Sequence, residues 1–342
     1  MKPPRSRARI AGIIVLTMAA VAAVAAPVLA PYPVDRRFDE LLNAPPTVVR
    51  IWADGHPHAP FIHAVRRVSQ LEQRYEEDPR TLVPLVWFQK GRLVSSADDG
   101  AAPLLLLGAD GFGRDVFSRL LFGARLSLGL SIVAAAGALL VGATIGGIAG
   151  YAGRAIDDVL MRAADFVVVL PATYVALALR SVMPLVLSPV AIFGLLSAIF
   201  ALLGAPFVAR GVRAIIRSER HLDYAVAAMA LGASHARILG RHLLPATRGF
   251  VIVQLTVLVP AFIVAEATLS YVGLGFPDPV ASWGTMLNDA ANVRAMADFP
   301  WLLSPAIVIF AVVLAVNLVL QQTDRRVRRP PVLTRLGRRV LR

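Results

Sequence analysis

Hydrophobic residues in this chain fall into long unbroken runs instead of alternating with polar ones. After the basic flank "MKPPRSRARI", the run "AGIIVLTMAAVAAVAAPVLA" continues to residue 30, and further apolar runs occupy about 124–150, 157–181, 186–209, 249–272 and 301–320. A helix of about 20 apolar residues spans a hydrocarbon core of roughly 30 Å, so each run predicts a transmembrane helix. Pro171 is expected to kink or break the third span, and Pro260 lies within the fifth. The first run, with its basic flank and Ala-rich end, also has the form of a secretory signal. Its length favours a retained first helix.

Residues 31–108 break the pattern. They are rich in proline and acidic residues and contain Trp52, Trp87 and β-leaning pieces such as "PTVVRIWA" and "LVPLVWFQKGRLVSS". They predict a small insertion of mixed or β character. The resulting division is 1–30 (N-terminus and first helix), 31–108 (insertion), 109–322 (a five-helix core with a polar segment at 210–248) and 323–342 (a basic tail). His56, His58 and His63 suggest a metal only weakly, because no acidic or further histidine cluster accompanies them. They are read as surface histidines.

Composition agrees with the pattern and adds charge. The 342 residues are 57% hydrophobic and carry a formal net charge of +13, with a mean hydropathy of +0.65. Cysteine is absent, which removes disulfides, thiol nucleophiles and cysteine metal sites. Basic residues cluster in the N-terminal flank, in the 210–248 segment (seven arginines) and in the tail (eight), whereas the 273–300 loop has one arginine and Asp278, Asp289 and Asp298. Positive charge flanking spans on one side marks the cytoplasmic face. Both termini and the 210–248 segment are therefore expected inside and the 31–108 insertion outside, which six spans satisfy.

Other features of the spans read as packing. Ala134, Ala138, Gly142, Gly146 and Gly150 form a small-residue stripe that allows close helix approach. Arg162 and Asp165 are spaced to pair at i, i+3. Glu266 lies deep in the fifth span, near its outer end, where it acts as a gate or pathway group or in helix–loop packing.

The polar segment contains "HLDYAVAAMALGASHARILGRHLLPA". It predicts two short helices about a turn, with Gly232 in the left-handed conformation, Ser234 as the N-cap of a second helix of about ten residues, and Pro245 as its end. So short a helix needs a partner surface. An interfacial helix on anionic lipid is one alternative; an unpartnered loop is another. A DNA-binding helix-turn-helix is excluded by length and tethering, and no nucleic-acid partner is expected.

The segment resembles the EAA loop of ABC importer permeases, with Ala227, Ala228, Gly232, Leu244 and Pro245 in register. Val226 stands where that pattern has glutamate, and His242 where it has isoleucine. "RHLLP", "GADGFGRDVFSRLLFGARLSL" (108–128) and "AEATLSYVGLGFPDPVASWGTML" (265–287) resemble the C-type subunit of the dipeptide/oligopeptide/nickel branch, and the likeness covers about 104–322. What the resemblance implies is a type I importer transmembrane domain that carries di- or oligopeptides or related small solutes. Nickel or another small solute is the alternative cargo. The implied coupling residues are Ala227, Ala228, Gly232, Ala233, Ser234, Arg237, Ile238, Arg241, His242, Leu244 and Pro245.

The implied partners are a second permease subunit, two ATPase subunits, an extracytoplasmic binding protein and the lipid bilayer of a bacterial or archaeal cell membrane. The only lysines are Lys2 and Lys90, and there is no Walker-type phosphate loop. No catalytic residue and no cofactor is therefore expected on this chain; ATP and Mg would sit on the ATPase. A secondary transporter would need internal repeats or charged midplane sites, which are not evident. A sensor-type receptor would need a signalling domain larger than the Arg-rich tail, and no nucleophile–base set suggests a metabolic enzyme.

Overall fold

The computed structural model describes residues 7–327, apart from 54, 70–72, 90, 172–173, 176–177, 179–186 and 292–296, with side chains described to residue 320. Helix α1 (Arg7–Leu29) leads to four strands, β1 (Arg50–Ala53), β2 (His56–Ser69), β3 (Arg74–Trp87) and β4 (Val94–Ser96). The helices that follow are α2 (Val116–Ala152), α3 (Arg154–Val169), α4 (Pro189–Glu219), α5 (Asp223–Ala230), α6 (Arg248–Tyr271), α7 (Trp283–Asp289) and α8 (Ser304–Val327). Among the described residues five helical segments are long and apolar enough to cross a membrane: Arg7–Leu29, Val116–Ala152, Pro189–Glu219, His235–Tyr271 and Pro300–Leu320. The span expected at 157–181 is not among them. Its first part is α3, which stops before Pro171, and most of the remainder lies outside the described residues.

The bundle is organised by the contact between α2 and α4, the most extensive in the molecule. Hydrocarbon gives two apolar helices no solvent-driven reason to associate, so close approach through small side chains and dispersion must hold them. The small-residue stripe supplies that approach. A β-carbon on Gly142 would lie 2.6 Å from the Ala205 carbonyl oxygen, one on Gly150 would lie 2.7 Å from that of Arg213, and one on Gly146 would run into the Ala209 backbone. Gly204 returns the fit from α4, against Ala138 and the Phe262 ring of α6. Leu130, Ala134, Ala138, Phe200, Val208, Val212, Leu258 and Phe262 belong to the core around this seam, and Phe200 and Phe262 stack with centroids 5.4 Å apart.

The strands form one antiparallel sheet in the order β1-β2-β3-β4. Ile62, Ala64, Val83, Ala102 and Leu104 make its small core. The sheet is tied to the end of α1: Leu93 N–H donates to the Val28 carbonyl at 2.7 Å, and Arg92 donates to the Pro31 carbonyl. Below it, Tyr32 N–H donates to Ser118 Oγ at 3.1 Å, and Leu104 N–H donates to the buried Tyr32 hydroxyl at 2.8 Å. His56, His58 and His63 lie on β2, and His63 Nδ1 bonds the Thr81 carbonyl at 3.0 Å.

The ion pair expected between Arg162 and Asp165 is replaced by one across helices. Asp165 accepts from Arg210 of α4 at 2.6 Å. Asp157 likewise takes Arg213 on both oxygens, Nη2 at 2.5 Å. Long arginines on α4 reach the neighbouring helix, which holds α3 against α4.

Because Gly146 and Gly147 are sequence neighbours on different faces, they separate close approach from glycine content. Gly146→Ala is expected to destabilise the detergent-solubilised protein by about 1–3 kcal/mol through overpacking, read as a lowered thermal unfolding midpoint. A β-carbon at Gly147 meets Leu244 at 3.5 Å and Leu239 at 3.6 Å, ordinary contacts. Gly147→Ala is expected to leave the midpoint unchanged.

Candidate functional site

Charge and unsatisfied surface gather at opposite ends of the α2–α4 pair. At the sheet end, α2 is capped by Asp115, whose Oδ2 accepts from Ser118 N–H at 2.8 Å. Just ahead of it, Asp110 organises a tight turn, its Oδ1 accepting the Phe112 and Arg114 amides at 2.9 Å each. The turn drives Arg114 inward until its side chain is 0% exposed. There the guanidinium donates from Nε to Asp110 at 2.7 Å, from Nη1 to Asp278 at 2.5 Å and from Nη2 to Asp289 at 3.0 Å. Arg119, one turn along α2, adds a contact to Asp289 at 3.4 Å.

Two buried cations thus hold three carboxylates drawn from 108–115, the 273–282 loop and α7. The planar fork of arginine can address several carboxylates at once, which a lysine could not. Burial pushes the Asp289 carboxyl up to about 6 against the pull of Arg119 and Arg114. Asp115 is pushed up to about 6 by burial, with a further push from the Asp110 charge and its helix-capping bonds opposing.

Next to this cluster, Glu266 of α6 is fully buried. Its oxygens accept from Ser127 Oγ of α2 and Ser270 Oγ, each at 2.7 Å, and Ser127 Oγ in turn accepts Trp283 N–H at 3.2 Å. These bonds link α2, α6 and α7 through the Glu266 carboxylate. Gly284 lets α7 lie on the Ala267 backbone, where a β-carbon would come within 2.7 Å.

At the other end, α5 closes in a tight turn: the Leu231, Gly232 and Ala233 amides return to the carbonyls of Ala227, Met229 and Ala228. Gly232 has φ +79°, the left-handed conformation that glycine takes without strain. Ser234 has extended cap backbone, but its side chain makes no capping bond. The expected ten-residue helix ending at Pro245 does not form. One α-turn (His235–Arg237) widens into a π-helical turn (Ile238–Leu243) and tightens into a 3-10 turn (Leu244–Thr247) that runs into α6. Pro245 takes one of the first positions of that 3-10 turn, where a missing amide costs nothing, so it starts a helical segment here.

The two faces of this loop differ. Ala225, Ile238 and Leu243 are buried in the main core with Val212 and Ile216, and Leu239 and Leu244 lean on Gly147. His235 Nδ1 meets the Tyr151 hydroxyl at 2.6 Å, and Arg220 Nη1 donates to the Gly150 and Tyr151 carbonyls at the C-terminal end of α2. The outer face holds Ala227, Gly232, Ser234, Arg237 and Arg241, all exposed. Val226 and Met229 are also exposed, and Leu231 is 87% exposed. Ala228, Ala233, His242, Leu244 and Pro245 are half-buried between the faces. Of the residues named from sequence, Ile238 lies wholly on the inner face and anchors the loop.

The Arg114–Asp110–Asp278–Asp289 cluster was not anticipated as a unit. Its members stand in the two stretches singled out at 108–128 and 265–287 or shortly after them, and only folding brings them together.

Comparison with known proteins places this geometry among transport proteins. Residues 142–329 match the family described as binding-protein-dependent transport system inner membrane component. The oligopeptide transport system permease protein OppC of Bacillus subtilis is 36% identical over 194 residues, covering 57% of this chain and 61% of the relative. The dipeptide transport system permease protein DppC of the same organism is 37% identical over 212 residues, 62% of this chain and 64% of the relative. DppC of Alkalihalophilus pseudofirmus is 37% identical over 222 residues, 62% of this chain and 67% of the relative. The chain thus spans a little over three-fifths of the first two relatives' length.

Two measurements test the buried charge. Arg114→Ala leaves Asp110 and Asp289 with only their longer contacts to Arg119 and Asp278 with the one to Arg37, and is expected to cost about 3–5 kcal/mol, seen as loss of folded protein on extraction. Asp115 has its folded value raised from 3.8 to about 6, so the folded form holds the proton more tightly. Its contribution to stability is greatest below the unfolded value, falls as pH rises from about 4 to about 6, and is flat above. Asp115→Asn keeps the cap and abolishes that fall, raising stability at pH 7 by up to about 3 kcal/mol. A thermal-unfolding series from pH 4 to 8 reads both effects.

Proposed function

Because this chain belongs to the family of binding-protein-dependent transport system inner membrane components, we propose that it is one permease subunit of an ATP-driven importer of short peptides. The observation that carries the reading is the loop at 222–245. It offers an exposed face of Val226, Met229, Leu231, Arg237 and Arg241, and its inner face is bolted into the helix core. Such a surface on a chain without a phosphate loop fits a motor carried by a separate ATPase subunit, where ATP and Mg would sit. The names of the OppC and DppC relatives support peptides as cargo.

In this reading the loop and both termini face the cytoplasm, in line with the arginines of the 210–248 segment and the tail. Six spans complete the parity, the third including α3, and the four-stranded sheet lies outside near the binding protein. The assembly contains a second permease subunit and two ATPase subunits. Movement of the ATPases pushes the outer face of the loop, and Ile238, Leu243 and the Tyr151–His235 contact pass the displacement to α2 and α4. Val226 offers an apolar contact where related loops place a glutamate, so the grip at this position is dispersive.

Coupling can be separated from folding. Arg237→Glu/Arg241→Glu and Gly232→Val are expected to lower binding-protein-stimulated ATP hydrolysis of the reconstituted assembly by at least about tenfold, while the permease stays in the membrane. The first acts by charge reversal at the docking face, the second by straining the left-handed turn at about 1–2 kcal/mol. Unchanged stimulation with both variants overturns the docking assignment.

A further inference from the structure

A cavity of about 740 Å³ opens between the sheet-end half of α2, the start of α4 and the 279–281 loop. Its walls include Phe122, Leu126, Phe193 and Val280, and its two charged lining residues are Arg125 and Asp35. The two do not pair with each other, and among the described residues neither has a hydrogen bond or ion pair. Asp278, next to the 279–281 wall, is held by Arg114, so that wall is fixed by the buried cluster.

The position of Arg125 on α2 makes its isolation informative. Three levels of contact pair α1 and the residues just after it with α2 in opposite order. Tyr32 bonds Ser118, Leu121 shares a cluster with Ala26 and Ala30, and Ala124 shares one with Ala23. Arg125 therefore sits at about the level of Ala23, roughly 9 Å inside the end of α1. A guanidinium near the end of a spanning helix, exposed and without a protein acceptor, faces water or a counter-charge. The cavity supplies the water, and its remaining chemistry asks for an anion with apolar neighbours and, towards Asp35, a cation. A peptide with free termini has that pattern.

We propose that this cavity receives the peptide in transit and that Arg125 binds its terminal carboxylate. The proposal rests on the peptide-importer reading above. Arginine can hold a carboxylate through two parallel hydrogen bonds, while Phe122, Leu126, Phe193 and Val280 accept side chains of any apolar shape. The chemistry recognises the common end of peptides and is indifferent to their sequence. A phospholipid phosphate is the other oxyanion available at this depth.

The test uses the complete assembly, with its binding protein, in vesicles containing phosphatidylethanolamine with or without phosphatidylglycerol. Vesicles are offered an equimolar set of di- to pentapeptides together with their C-terminal amides, and lumenal contents are read by mass spectrometry. Wild type is expected to import the free acids. Arg125→Gln is expected to lower import of the acids relative to the amides by at least about tenfold, and Arg125→Lys to restore part of it. Subunit co-purification should stay within about twofold of wild type.

Equal import of acids by wild type and Arg125→Gln overturns the proposal and leaves the importer reading standing. An equal loss for acids and amides that tracks phosphatidylglycerol assigns Arg125 to lipid and also overturns it. An equal loss independent of lipid overturns it by making Arg125 structural. A wild-type assembly that imports no peptide sinks the importer reading together with the proposal.

Discussion

Everything else in the structure hangs on the close approach of α2 and α4. Helices in lipid gain little from burying apolar surface against one another, so contact must come from backbone proximity. Gly142, Gly146 and Gly150 give α2 a flat strip on which the carbonyls of Ala205, Ala209 and Arg213 lie. Both helices are long, 37 and 31 residues, or roughly 55 and 45 Å. A seam of that length makes them one stiff body, and whatever is attached at one end is mechanically connected to the other.

The two ends are finished with different physics. At the sheet end, Arg114 and Arg119 draw Asp110, Asp278 and Asp289 into a buried cluster that joins segments more than 150 residues apart. Buried ion clusters contribute little net stability when compared with apolar replacements, but they penalise any other arrangement of their members severely. They therefore suit a place where loops must keep one position. At the loop end the attachment is apolar: Ala225, Ile238 and Leu243 fit the core, and the polar contacts are few. Apolar contact allows small rotations without stranding a charge.

Legibility in the sequence followed the range of the physics. Five of the spans, the small-residue stripe and Gly232 depend on local periodicity or on one backbone angle, and each could be read from neighbouring residues. The loop resemblance located the segment that turned out to have one exposed and one buried face. Pro245 was misread because a proline is a stop or a start depending on the turn it joins; here the preceding π-turn and following 3-10 turn let the helical path continue. Asp165 was misassigned because i, i+3 spacing takes no account of Arg210 on the adjacent helix, whose longer reach wins. The Arg114 cluster was illegible for a related reason. Its charges stand in different stretches, and nothing within either stretch says which will meet.

Glu266 and Arg125 show how far partner satisfaction, more than residue type, sorts function from packing in a membrane. Both are ionisable residues on long apolar helices in the same half of the bundle, and sequence alone treats both as expensive. Glu266 is wholly enclosed, with hydroxyls of Ser127 and Ser270 on its two oxygens, so its cost is met inside the protein and it joins helices. Arg125 is exposed on α2, beside a cavity and without a protein acceptor among the described residues. Water or a counter-charge can meet it there. Enclosed by hydroxyls, the carboxylate joins helices; exposed beside a cavity, the guanidinium is open to water or a counter-charge.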